Sequence, residues 1–99
     1  MLLVIGTIRL PRERLSEARP AMREMILRSR AEGGCDGYAY SEDVLEPGLI
    51  HVKEVWRDQA ALDAHFASVH IATWRATWSE LGITDRNLFL VDILSLFVR

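Results

Sequence analysis

The spacing of apolar residues along this chain switches between two periods in a fixed order, and that order restricts the fold more than any other feature. Residues 2–10 alternate: Leu2, Val4, Ile8 and Leu10 fall on one side, Leu3, Ile5 and Thr7 on the other. That is the period of a strand, and apolar residues on both sides at its start predict burial on both faces. Pro11 stops the ladder. From Arg12 to Glu32 the spacing becomes helical, with Leu15, Ala18, Met22, Met25, Ile26 and Ser29 on one face. Pro20 predicts either a helix that starts there or a longer one that kinks there. Gly33-Gly34 predicts the helix end through a residue able to take positive φ.

The pattern then returns to strand from Cys35 to Val44, turns at Leu45–Gly48, and runs on as a strand from Leu49 to Arg57, which predicts a hairpin. Asp58 reads as the cap of a helix whose apolar face carries Ala61, Leu62, His65 and Phe66. Ser68 to Glu80 reads as a further helical piece with Ile71, Trp74, Trp78 and Leu81 on one stripe, stopped by Gly82. Asn87 to Val98 is the last strand. The order β-α-β-β-α-β predicts a ferredoxin-like α+β fold, an antiparallel sheet with helices on one face. The 99 residues suffice for one core, so residues 1–99 are expected to be a single domain.

The last strand is apolar on both sides, with Leu88, Leu90, Leu94 and Leu96 alternating with Phe89, Val91, Ile93 and Phe97. Helices cover one side of a four-stranded sheet. The uncovered apolar side predicts a homodimer, sheet against sheet. The formal net charge of −2 argues against a nucleic-acid partner. Cys35 is the single cysteine, so no intramolecular disulfide or cysteine metal cluster is expected, and it reads as a buried thiol in a reducing compartment. No run approaches the roughly 18 apolar residues of a membrane span. The opening Met1–Gly6 reads as a strand rather than a signal peptide. A cytoplasmic protein without membrane contact is the expectation.

Several residues have the chemistry for a site. His65 and His70 carry imidazoles, which move protons near pH 7. Their spacing of five crosses a helix break and no third ligand is evident, so no metal is expected. Each also reads equally well as a structural histidine bonded to backbone. Glu54 stands between Val52 and Trp56 on an apolar strand face, and Asp92 between Leu90 and Leu94. A carboxylate there is paired, hydrogen-bonded or raised in pKa. Glu54 is therefore a candidate general base, and both carboxylates are candidates for an interface ion pair. Tyr38, Tyr40, Trp56, Phe66, Trp74 and Trp78 could line a site for a flat ligand, although a Trp74 and Trp78 pair at i,i+4 is more often core. No Gly-rich phosphate loop is present, and no cofactor is expected.

The stretch Ala31-Glu32-Gly33-Gly34-Cys35-Asp36-Gly37-Tyr38, followed by Val55-Trp56-Arg57-Asp58 and Leu62-Asp63-Ala64-His65-Phe66-Ala67-Ser68-Val69-His70, resembles the antibiotic biosynthesis monooxygenase family. The resemblance implies a dimeric α+β barrel. It leaves the reaction open among cofactor-independent oxygenases of quinols and aromatic polyketides, haem-degrading enzymes and an isomerase of phosphorylated autoinducer sugars. The haem branch implies residues that the corresponding positions, Thr7 or Ile8, His65 and Arg75, do not supply. Arginine has no free lone pair for an axial bond. Of the polyketide branch's positions Trp56 matches, but Val52 and Leu62 do not. The quinol and isomerase branches share a pair matched by His65 and His70. The resemblance also places the Trp56 ring in the pocket.

These readings predict a cofactor-independent monooxygenase that oxidises a small aromatic, phenol or quinol substrate with O2. His65 or His70 would be the base, Glu54 its orienting group, and Trp56, Tyr38, Phe66 and Trp74 the substrate wall. Two other readings stand beside it: a proton-transferring isomerase of a small carbonyl compound, and a non-catalytic dimeric module that binds a small quinone-like molecule.

Overall fold

The computed structural model describes residues 1–94. Four strands, β1 (Leu2–Arg9), β2 (Cys35–Glu42), β3 (Leu49–Trp56) and β4 (Thr84–Asp92), form one antiparallel sheet in the order β2-β3-β1-β4. Helix α1 (Leu15–Arg30) follows β1. Three shorter helices, α2 (Gln59–Phe66), α3 (Val69–Ala76) and α4 (Trp78–Leu81), lie between β3 and β4. This is the ferredoxin-like α+β architecture. The last strand begins at Thr84, three residues before the expected start. Its expected end at Val98, with Leu96 and Phe97, lies outside the described residues.

Strand alternation sorts the sheet into two faces. Val4, Ile8, Ile50, Val52, Trp56 and Tyr38 point beneath the helices and are buried against Ala18, Met22, Met25, Leu62, Ile71 and Trp74. Each such aliphatic side chain withdrawn from water contributes roughly 1.5–3 kcal/mol. The helix-facing row runs across the sheet from Leu90 through Val4 and Glu54 to Tyr38. The register therefore decides what alternation alone left open. Leu88 and Leu90 lie on the helix side. Phe89 and Val91, paired with Ile5 and Leu3, lie on the bare side. Phe89 there is 59% exposed.

Of the two readings of Pro20, the structure selects the longer helix: α1 starts at Leu15, continuing from a 3-10 turn at Arg12–Arg14, and passes through Pro20 in its second turn. Arg14 anchors the early start: its guanidinium donates to Glu17 at 2.7 Å and to the Glu80 carbonyl at 2.7 Å. Gly33 and Gly34 do not supply the positive φ expected of them. Among the described residues the positive-φ glycines are Gly48 and Gly82, and Gly82 ends α4 in the left-handed conformation. Gly34 serves a different purpose: a Cβ on it would collide with the Cβ of Ala61, so its bareness lets α2 sit against the loop after α1. No helix is long and apolar enough to cross a membrane among the described residues.

Candidate functional site

The site grows out of β3. Alternation places Val52, Glu54 and Trp56 on the face beneath the helices, where Glu54 pairs in register with Val4 on one side and Tyr38 on the other. Glu54 is 2% exposed. Two residues beyond Trp56, Asp58 caps α2 by accepting from the Ala61 N–H at 2.9 Å, and the chain doubles back over the strand. His65 thus arrives in the last turn of α2 directly over the sheet. Its ring centroid is 4.5 Å from that of Trp56 and 5.3 Å from that of Tyr38, and it is 1% exposed. Ser68 fixes the break that follows. Its hydroxyl donates to the His65 carbonyl at 2.6 Å and accepts from the Ile71 N–H at the start of α3.

A third residue comes from the loop after α1. Arg30 Nε–H donates to the Tyr38 carbonyl at 2.8 Å, and the Cys35 N–H to the Glu32 carbonyl at 3.1 Å, so this loop is tied to β2. Glu32 Oε2 lies 2.9 Å from His65 Nδ1. We assign the neutral imidazole as donating Nδ1–H to Glu32, which leaves Nε2 as an acceptor. Nε2 faces Glu54 Oε1 at 3.6 Å, beyond hydrogen-bond length. The same Glu54 oxygen accepts the Trp56 indole N–H at 3.0 Å. His70 Nε2 lies 3.0 Å from Glu32 Oε1, at an angle unsuited to a hydrogen bond.

Burial dominates the electrostatics. It pushes the Glu54 carboxyl up to about 7, against the Trp56 hydrogen bond and the positive fields of Arg86 and Arg75, with Glu32 adding to the rise. Burial also lowers the His65 imidazole to about 4, helped by His70 and Arg75. The Glu32 carboxyl is raised, again by burial, and His70 opposes the rise. The phenol of Tyr38 is raised by burial and stays protonated. Between about pH 4 and 7 the buried pair is therefore a protonated carboxyl beside a neutral imidazole.

The pair borders a small cavity of about 20 Å³, room for about one oxygen-sized group. Of the residues expected from sequence, Glu54, His65, Tyr38, Tyr40, Phe66, Trp74 and Trp78 line it. Trp56 lies behind the pair, fully buried, and holds Glu54 rather than facing the cavity. His70 lies outside, on a surface groove between α1 and α3. Sequence reasoning missed Glu32, Arg75 and Arg86. Glu32 is 33 residues from His65, and nothing local marks it as the partner. Arg75 stands in a helix whose apolar stripe drew attention to Trp74 instead. Glu32, His65 and His70 also place donor atoms within 4.8 Å of one another. They are the residues among those described that could hold a metal ion, with Glu32 as the third ligand the linear spacing did not reveal. The same geometry also describes a carboxylate hydrogen-bonded to His65 at 2.9 Å with His70 in close contact at 3.0 Å.

Comparison with known proteins identifies the family. The antibiotic biosynthesis monooxygenase domain model matches residues 1–77. The chain belongs to that family. Among solved structures, a candidate antibiotic biosynthesis monooxygenase of Deinococcus radiodurans superposes with a TM-score of 0.92 at 23% identity, covering 100% of this chain and 98% of that one. A Mycobacterium tuberculosis protein matches at 29% identity with a TM-score of 0.83, over 96% of both chains. A Pseudomonas aeruginosa protein matches at 26% with a TM-score of 0.84, over 95% of this chain and 94% of that one. An uncharacterized Synechocystis protein is 37% identical over 65 residues, 66% of this chain and 44% of that one. The chain thus spans under half the length of that curated relative. Membership of this monooxygenase family accounts for the sheet order and for helices on one face.

Proposed function

We propose that the chain is a cofactor-independent monooxygenase that uses O2 on a small aromatic phenol or quinol. One observation carries the reading: a buried carboxyl–imidazole pair, Glu54 and His65, faces a cavity walled by aromatic rings, with Glu32 orienting the imidazole from behind. A phenol is a poor reductant until it loses its proton. Its phenolate gives an electron to O2, and the resulting radical pair joins at a ring carbon. Loss of water then leaves a quinone: the ring gains one oxygen atom and loses two hydrogens, and the second oxygen leaves as water. The protein has to take one proton and keep bulk water away. Ionised Glu54 takes the proton, and His65 Nε2, 3.6 Å away, is placed to share it. Glu32 fixes the tautomer that makes this sharing possible.

The bare sheet face supports the second part of the proposal, a homodimer. Ile5, Phe89 and Val91 are exposed together on neighbouring strands, and a partner sheet would cover them.

The test is oxygen uptake with 1,4-naphthohydroquinone freed of reductant, under ¹⁸O2. The expected result is uptake faster than the uncatalysed reaction and one labelled oxygen in a hydroxylated quinone. Uptake no faster than without protein, across a panel of phenols and quinols, overturns the reading. Turnover of a small carbonyl compound without O2 would instead make the pair that of an isomerase. Binding with no turnover in either condition would make the chain a binding module.

A further inference from the structure

The cavity beside Glu54 and His65 has an imbalance that the proton-transfer reading does not use. Trp74 and Trp78 both line it beside Tyr40, and both indole nitrogens are buried with no acceptor in hydrogen-bonding geometry. Trp74 as a whole is 3% exposed, so its nitrogen cannot turn to water. A buried donor left unpaired costs roughly 1–3 kcal/mol. Arg75 and Arg86 border the same cavity, and among the described residues neither makes an ion pair. Arg75 instead lies over the Phe66 ring, 5.6 Å from its centroid. The lining therefore combines the Glu54–His65 pair with four donors, Trp74, Trp78, Arg75 and Arg86, beside the phenols of Tyr38 and Tyr40.

We infer that this cavity is an oxyanion site: it takes the phenolic oxygen of the substrate, and Trp74, Trp78, Arg75 and Arg86 hold it as the anion after Glu54 has removed its proton. The inference rests on the proton-transfer reading and adds what receives the negative charge. The volume agrees, because about 20 Å³ admits an oxygen and not a ring. The ring must then lie at the mouth, where Phe66 and Leu88 are partly exposed. The charge agrees as well. The cavity holds one negative charge before transfer, on Glu54, and one after it, on the substrate oxygen. The two guanidiniums face that charge throughout, as their fields at Glu54 show. The buried indole donors, fixed out of reach of water, stabilise such an oxygen more than water does, and the two exposed guanidiniums add their field from the rim.

A nitrophenol tests this independently of oxygenation, because its ring is too electron-poor to reduce O2 and its phenolate has a visible absorption band. 4-Nitrophenol is titrated with protein in a buffer below the probe's own pKa. The expected result is the phenolate band appearing in proportion to bound probe. Trp74→Phe keeps an aromatic ring, though a smaller one, and removes the N–H, and Arg86→Gln alters an exposed strand position that does not threaten folding. Each should lower the bound phenolate-to-phenol ratio about tenfold. The inference is overturned if the probe does not bind, if it binds with the neutral phenol spectrum, or if Arg86→Gln leaves the ratio unchanged. Failure here with oxygen uptake intact would remove the oxyanion site and leave the monooxygenase standing. Phenolate binding without any oxygen uptake would do the reverse.

Discussion

His65 stands between two carboxylates that hold it differently: Nδ1 is hydrogen-bonded to Glu32 Oε2 at 2.9 Å, while Nε2 looks across 3.6 Å to Glu54 Oε1. Both His65 and Glu54 are almost fully buried. The first contact sets the tautomer, and the second leaves a gap in which a proton can pass.

Activity should rise with pH through about 7. Glu54, raised to about 7 mainly by burial, must be ionised to accept a proton, and His65, lowered to about 4, is already neutral across that range. The other charged or titratable groups around Glu54 are Glu32, Tyr38, Tyr40, Arg75 and Arg86. Steady-state kcat measured from pH 5 to 9 should show one rising limb. Glu54→Gln should lower kcat by about 10²- to 10⁴-fold and abolish that limb. An unchanged profile in the variant would assign the limb elsewhere.

The two histidines should separate. His65→Ala empties a buried position beside Trp56 and removes the partner of Glu54, so kcat should fall about 10²- to 10⁴-fold and the melting temperature should drop. His70 lies outside the cavity, near the far oxygen of Glu32 and 5.9 Å ring to ring from His65. His70→Ala should cost less than about tenfold in kcat. Equal losses in the two variants would contradict the geometry.

Stability should peak between the two shifted groups. Glu54 has a folded pKa above its ordinary 4.5, so the stability linked to its neutral form is complete below about 4.5 and is lost as pH rises through about 7. His65 has a folded pKa below its ordinary 6.5, so its contribution is complete above about 6.5 and is lost as pH falls through about 4. Melting temperatures should be highest near about pH 5–6. Glu54→Gln should flatten the alkaline side of the curve and leave the acid side. Calorimetry across pH 4 to 9 reads both limbs.

The bare sheet face should respond to charge. Phe89→Glu should shift a homodimer towards monomer or aggregate, since it buries an unpaired charge against the partner. Light scattering at micromolar concentration reports the mass. A wild-type protein that is already monomeric there would remove the dimer from the proposal.

Gly34→Ala should destabilise the fold by roughly 1–3 kcal/mol, the usual cost of overpacking, because the new methyl would meet Ala61. It should also lower kcat, since the same loop carries Glu32. Denaturant unfolding and kinetics on one preparation separate the two effects.

The local elements were legible because their causes are local. Period 2 in Leu2–Arg9 and Leu49–Trp56, helical spacing from Leu15 onward, the Asp58 cap and the Gly82 stop are each set within a few residues. Glu54 was visible for the same reason: a carboxylate in an apolar strand row is an anomaly that alternation exposes. The end of α1 is legible, but the role of Gly33-Gly34 there is not, because a Gly-Gly pair has two uses, conformational freedom and bareness. Only the position of Ala61 shows that bareness is the one needed at Gly34.

The sequence by itself determined the β-α-β-β-α-β order, and with it a sheet with one helical and one bare face, because backbone periodicity and capping act over a turn or two of chain. It could not determine which side of β4 is bare. A strand's faces are equivalent until its register is fixed, and the pairing of Val4 with Leu90 fixes it. Nor could it determine that Glu32 meets His65, or that Arg75 and Arg86 share a cavity with Glu54. Those groups come from separate elements, and their charges act through space. Tertiary packing alone brings them within range and, by excluding water, raises the Glu54 carboxyl towards neutral pH.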